Sequence, residues 1–101
     1  MKTDYLKALQ DAIRHTHGCA STHVGTIPVR EDFGGYVVWD GEVEVFDLDQ
    51  HPAADQCYAW GYQDDAGELQ CVAVLRVSPV ESPVTAIRAY ILAQQEGRKD
   101  T

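Results

Sequence analysis

The stretch CYAWGYQDDAGELQCVAVLRV, residues 57–77, predicts an antiparallel hairpin. Apolar and aromatic side chains recur on both sides of QDDAGE, whose aspartates and glycine are typical of a turn. With the four residues Asp64–Gly67 as the connection, strand alternation places Cys57 and Cys71 on opposite faces of the sheet. This register predicts that the two thiols form no disulfide.

Two β-prone stretches precede this hairpin. The first runs from Ser21 to Glu31, DFGG at residues 32–35 supplies a turn, and YVVWDGEVEVFDL, residues 36–48, forms the second. The Asp40-Gly41 pair inside the second stretch is compatible with a tight turn and with a β-bulge. The sequence leaves that choice open.

Helices are predicted at the two ends of the chain. The first covers residues 4–17, where apolar side chains recur every three or four residues, and Gly18 follows as a left-handed C-cap. The second begins at Ser82-Pro83, an N-cap followed by proline at the first helical position, and ends at Gly97. The tail, residues 98–101, is expected to fray.

These elements predict one small α+β domain over residues 1–101. The links between strands are too short for crossover helices, so the sheet of about four strands is expected to be antiparallel. Both helices need an apolar surface to cover, and we expect a two-layer sandwich with both of them packed on one face. The sequence leaves the strand order open, and it leaves open whether the protein is a monomer or a homodimer formed through a sheet edge.

The acidic residues are concentrated in the middle of the chain. The formal net charge is -8, yet no Lys or Arg occurs between Glu31 and Leu75. That segment holds eleven acidic residues: Glu31, Asp32, Asp40, Glu42, Glu44, Asp47, Asp49, Asp55, Asp64, Asp65 and Glu68. Such a surface repels phosphate backbones and attracts cations, so we expect no nucleic-acid partner and favour a basic protein.

The expected docking surface lies on the second β-prone stretch. Glu42 and Glu44 alternate with valines there, which predicts a half-buried strand with its carboxylates toward solvent. Aromatic residues around Trp60 suit recognition of Lys or Arg through cation-π contacts. The sequence therefore predicts a non-enzymatic interaction module with these binding residues: Glu42, Glu44, Asp47 and Asp49.

A second chemistry is indicated by HTHGCASTH, residues 15–23. Cys and His ligate zinc, and His17, Cys19 and His23 lie close in sequence, with His51 as the fourth candidate. The spacing matches neither a CxxC nor an HxxxH pair, and an ordinary helix end accounts for the histidines. No cofactor is expected, and a zinc protein or a cysteine-dependent enzyme that uses Cys19 and His23 is the alternative.

The cellular location is inferred from two absences. No stretch is apolar enough for a secretory signal or a membrane span, so no membrane association is expected. Three cysteines form an odd and small set, which favours reduced thiols. We therefore expect a cytoplasmic protein.

Overall fold

The computed structural model of the chain describes residues 2–99. It contains one sheet and two helices. In chain order the elements are α1 (Lys2–His17), β1 (Ser21–Phe33), β2 (Tyr36–Leu48), β3 (Gln56–Gln63), β4 (Leu69–Leu75) and α2 (Pro83–Lys99). The strands pair antiparallel in the order β1-β2-β3-β4, which confirms the α+β class and the four-stranded antiparallel sheet.

The two helices lie on opposite faces of the sheet, which corrects the prediction that both cover one face. In β3 the buried residues Cys57 and Ala59 pack in the cluster that α1 covers, whereas Tyr58 and Trp60 pack in the cluster that α2 covers. Successive residues of a strand point to opposite faces, and here both sets are apolar. A sheet that is apolar on both faces needs a layer on each, so the domain has three layers.

Each helix contributes its own apolar stripe to the core. Leu9 and Ile13 of α1 are fully buried against Phe46 of β2. On the other face, Ala86 and Ile87 of α2 are fully buried in the cluster of Trp60. The spacing of these side chains follows the helical period, as the sequence predicts.

The β1–β2 hairpin turns at Gly34 and Gly35, as the DFGG motif predicts. Their φ angles are 60° and 84°, which matches the two-residue turn that suits the twist of antiparallel strands. The Asp40-Gly41 pair forms neither a turn nor a bulge, because Asp40 pairs with Arg30 and Gly41 with Val29 in unbroken register.

The β3–β4 hairpin has a register that differs by one residue from the predicted one. Gln63 pairs with Leu69, so the connection has one residue more than the four assumed. Cys57 and Cys71 therefore lie on the same face, in the cluster under α1. Both are free thiols. Cys57 pairs with Leu75 of β4, whereas Cys71 of β4 pairs with Gly61, so the two cysteines are not cross-strand neighbours.

Asp64 organises this longer loop. Its Oδ1 accepts the backbone N–H groups of Ala66 and Glu68 at 2.9 Å each, and its Oδ2 accepts the side-chain amide of Gln70 at 2.8 Å. The bonds from Glu68, Gln70 and Ala66, in that order, lower the pKa of Asp64 below its ordinary value. The added residue is thus held by hydrogen bonds to one carboxylate.

Asp64→Asn is expected to lower the stability of the fold at neutral pH. The folded pKa is below the unfolded value, so the carboxylate stabilises the fold above its unfolded pKa and loses that effect as the pH falls through the folded one. Urea unfolding of the variant and the wild type should differ at neutral pH and converge in acid. Asp65→Asn, at the exposed neighbouring position, is the control, and an equal loss there would contradict the role of the hydrogen bonds.

The helix ends agree in part with the prediction. Gly18 ends α1 with a φ of 73°, and its N–H donates to the carbonyl of Arg14. Ser82 caps α2, because its Oγ accepts the N–H of Thr85. The helix does not end at Gly97 but continues to Lys99, so residues 98 and 99 of the expected frayed tail are helical. The rest of that tail, residues 100–101, lies outside the described residues.

Within residues 2–99, neither helix is long and apolar enough to cross a membrane.

Candidate functional site

The sheet divides between β2 and β3. Their ladder has four pairs, which run from Glu44 opposite Ala59 to Asp47 opposite Gln56. Beyond Glu44, β2 continues to pair with β1 only, while β3 continues to pair with β4 as far as Gln63. The two hairpins therefore separate beyond Glu44.

A cleft of about 370 Å³ lies between the separated parts of β2 and β3. We call it the β2–β3 cleft. The following residues line it: Tyr5, Trp39, Asp40, Gly41, Glu42, Glu44, Trp60, Gly61 and Tyr62. Among the described residues, this lining includes three carboxylates and four aromatic side chains but no Lys, Arg or His.

Tyr5 of α1 accepts a hydrogen bond from β3 where β3 no longer pairs with β2. Continuing the β2–β3 register would place Gly61 opposite Glu42, but the N–H of Gly61 donates instead to the hydroxyl of Tyr5 at 2.7 Å. Burial raises the pKa of Tyr5, the Gly61 bond opposes the rise, and the charge of Glu44 adds to it. The hydroxyl therefore stays protonated at neutral pH and closes one wall of the cleft.

Aromatic rings form another wall. The rings of Trp39 and Trp60 meet edge to face with centroids 5.9 Å apart, and Tyr90 of α2 meets Trp60 in the same way at 5.4 Å. Trp60 is 2% exposed. Its Nε1 is buried and donates to no atom of the described residues. A buried indole N–H usually finds an acceptor, so this donor is an exception within the cluster that α2 covers.

The three carboxylates of the cleft differ in exposure. Asp40 and Glu42 are exposed, whereas Glu44 is 1% exposed. The prediction that Glu44 faces solvent is therefore wrong, because the face of β2 that carries Glu44 and Phe46 is the face beneath α1. Glu44 lies where the two hairpins separate, and Glu42 lies further out on the same face.

His23 and Thr26 of β1 hold the buried carboxylate. Nε2 of His23 donates to Oε1 of Glu44 at 2.8 Å, and Oγ1 of Thr26 donates to the same oxygen at 2.5 Å. Residues three apart on a regular strand point to opposite faces. A register shift between His23 and Gly25 inserts one residue, so both side chains reach the face of Glu44.

The other predicted binding residues do not extend this site. Asp47 is exposed and accepts the side-chain amide of Gln56, and by alternation it lies on the opposite face of β2 from Glu42. Asp49 is exposed in the loop after β2. The structure therefore does not bring Glu42, Glu44, Asp47 and Asp49 into one surface.

The residues predicted to bind zinc contact different partners. His17 donates through Nε2 to the carbonyl of Ala73 at 3.0 Å, and its ring meets that of His51 with centroids 6.2 Å apart. His23 is held by Glu44. In the part of the chain that the structure describes, no group of three or more His, Cys, Asp or Glu side chains is placed to hold a metal ion.

The cysteines differ in burial. Cys57 is fully buried, and burial raises its pKa to about 12, with a smaller contribution from the charge of Cys19. Burial also raises the pKa of Cys71. A thiol with a raised pKa is a poor nucleophile at neutral pH, so Cys57 and Cys71 have the properties of core residues.

No protein-family model, no curated protein and no solved structure matches the chain significantly. The function is therefore argued from the cleft and its side chains.

Sequence reasoning missed Asp40, Tyr5 and Gly61 as parts of the site. The aromatic signal around Trp60 was present in the sequence, and it does line the cleft. The division of the sheet had no such signal, because it depends on how far β2 and β3 stay paired.

Proposed function

We propose that the protein is a non-enzymatic interaction module that binds a basic protein segment in the β2–β3 cleft. The observation that carries this proposal is the composition of the cleft, in which carboxylates and aromatic rings lie together and the described lining has no basic side chain. Lys and Arg are attracted by carboxylates and by the faces of Trp and Tyr. The cleft therefore suits a cationic side chain.

The charge of the whole molecule supports the same partner. The net charge is -8. The negative field around the molecule has the same sign as the charge of the cleft. Such a field steers a positively charged partner toward the cleft and raises the association rate. The same field opposes nucleic acids, so the proposed partner is a basic protein.

Three free thiols fit a reducing compartment, so we place this interaction in the cytoplasm. The protein binds its partner as a monomer or a homodimer and needs no cofactor. The alternative is a zinc or cysteine enzyme that uses Cys19 and His23. Among the described residues, no contact between these two side chains supports it, and His23 binds Glu44 instead.

Charge reversal at Glu42 tests the proposal with octalysine as the probe. Glu42 is exposed, so Glu42→Lys should leave the fold intact while it places a positive charge at the cleft. We expect the affinity for octalysine, measured by calorimetry at low ionic strength, to fall at least about tenfold, which corresponds to about 1.4 kcal/mol.

Asp65→Lys is the matched control, because it makes the same change in net charge at an exposed position in the β3–β4 loop. It should reduce binding much less. If the two variants weaken binding equally, the attraction is a general effect of charge and the cleft is not the site. If octalysine does not bind the wild-type protein, the proposed function is wrong.

A further inference from the structure

The end of the β1–β2 hairpin and the neighbouring part of α2 expose large apolar side chains. Phe33, Tyr36, Val38 and Leu92 are 73%, 77%, 42% and 58% exposed, respectively. Phe33 and Tyr36 are cross-strand partners beside the turn, so their side chains share one face of the hairpin. Phe33, Val38 and Leu92 line one groove of about 350 Å³. We call these four residues the hairpin–α2 patch.

The area of the hairpin–α2 patch matches what a protein interface needs. Phe and Tyr side chains each bury about 150–250 Å² when they are covered, and the exposed fractions of the four residues correspond to about 450 Å². The largest apolar patch on a monomeric protein measures about 300–600 Å² and is often functional. Stable interfaces bury about 800 Å² per partner, and homodimer interfaces are about 65% apolar. The patch therefore supplies most of the apolar part of one such interface.

The charged residues at the border of the patch suit a second copy of the same surface. Arg88 of α2 donates to the carboxylate of Glu31, and Arg30 donates to Asp32 at 3.4 Å. Glu31, Asp32 and Arg88 also line the groove. These two cations and two anions balance each other in a molecule with a net charge of -8. A border with equal numbers of both signs is complementary to its own copy across a two-fold axis.

The outer edges of the sheet are obstructed against pairing with another strand. Pro28 lies inside the edge strand β1 and has no N–H to donate, which opposes strand addition there. In the other edge strand, β4, the N–H following Leu75 bonds to β3, so by alternation the carbonyl of Ala73 faces the outer edge. His17 donates to this carbonyl at 3.0 Å. We therefore assign contact between copies to side chains rather than to strand pairing.

We infer that two copies of the chain form an isologous homodimer through the hairpin–α2 patch. The apolar side chains of one patch pack against the same set on the second copy, and the arginines at the border of one patch face the carboxylates at the border of the other. This surface differs from the β2–β3 cleft, so the inference does not depend on the proposed function.

Sedimentation equilibrium of the full chain in about 0.15 M salt, which screens the net charge, tests the inference. We expect the mass to rise from one chain to two between about 1 and 500 μM, with no larger species, because an isologous contact closes on itself. Leu92→Gln should raise the dimer dissociation constant at least about tenfold, because the loss of apolar contact occurs twice in a two-fold interface. Val77→Gln, at an exposed apolar position between β4 and α2, should leave it unchanged.

A second pair of variants separates the two faces of the hairpin. Tyr36→Thr changes a residue of the patch and should also weaken the dimer at least about tenfold. Val37→Thr is its control, because Val37 is the next residue of β2, is also exposed, and points to the opposite face by alternation. Threonine is favourable in strands, so both variants should fold. This pair tests the inference even if Leu92→Gln does not fold.

Three results would each overturn the inference. The first is a wild-type protein that stays monomeric at about 500 μM. The second is a dimer that Leu92→Gln and Tyr36→Thr leave intact, which would place the contact elsewhere. The third is a dimer that Val37→Thr weakens as much as Tyr36→Thr does. Octalysine binding should be equal in Leu92→Gln and the wild type, and its absence from the wild type contradicts only the proposed function.

Discussion

His23→Ala is expected to destabilise the fold by about 3 kcal/mol at neutral pH, because it leaves the Glu44 carboxylate buried without its imidazole partner. Glu44 is 1% exposed and lies beside Phe46 under α1. Removing one member of a buried pair costs about 3–5 kcal/mol, and the lower end applies here because the His23 side chain remains 27% exposed. The ring of His23 also packs against Phe46 with centroids 5.3 Å apart, so the variant loses an aromatic contact as well.

Urea unfolding of three proteins isolates the role of the carboxylate. If the loss in His23→Ala comes from the buried charge, the double variant His23→Ala/Glu44→Gln should be more stable than His23→Ala alone, because a neutral amide costs less to bury. If it comes from lost packing, the double variant should be no more stable than the single one. A loss below about 1 kcal/mol in His23→Ala would show that the remaining interactions of Glu44, which include the bond from Thr26, are sufficient.

Gly61→Ala is expected to destabilise the fold by about 2 kcal/mol, because the site has no room for a methyl group. A Cβ at Gly61 would lie 2.9 Å from a ring carbon of Tyr5 and 2.9 Å from a methyl carbon of Leu69. Moving Tyr5 away would also break its hydrogen bond to the Gly61 N–H, which leaves a backbone donor without its partner. The expected loss therefore combines overpacking with a lost hydrogen bond.

Gly25→Ala is the matched control, because Gly25 also lies in a strand and nothing stands within 4 Å of its Cβ position. Chemical denaturation should show little change for this variant. Tyr5→Phe/Gly61→Ala should be no less stable than Gly61→Ala if the hydroxyl is already displaced. A loss in Gly61→Ala no larger than that in Gly25→Ala would contradict the close packing of Tyr5.

The β1–β2 turn, the C-cap of α1 and the N-cap of α2 were predictable because each depends on a few neighbouring residues. Gly34 and Gly35 adopt positive φ angles, and Ser82 caps α2, as their local sequence indicates. The β3–β4 register was not predictable to one residue, because Asp64 organises a longer loop through bonds to Ala66, Glu68 and Gln70. That single added residue reverses the relative faces of Cys57 and Cys71.

The sequence by itself determined the number and type of the elements, the acidic character and the aromatic residues of β3, because these follow from composition, periodicity and local turn chemistry. Only the tertiary structure decided that the helices take opposite faces, that the sheet divides after Glu44, and that Glu44 is buried. The bulge after His23 illustrates the reason. It inserts one residue into β1 and so breaks the strict alternation of side chains between the two faces. The break lies where His23 and Thr26 bind Glu44. Such a shift is set by pairing between strands that are distant in sequence, and so no local pattern reveals it.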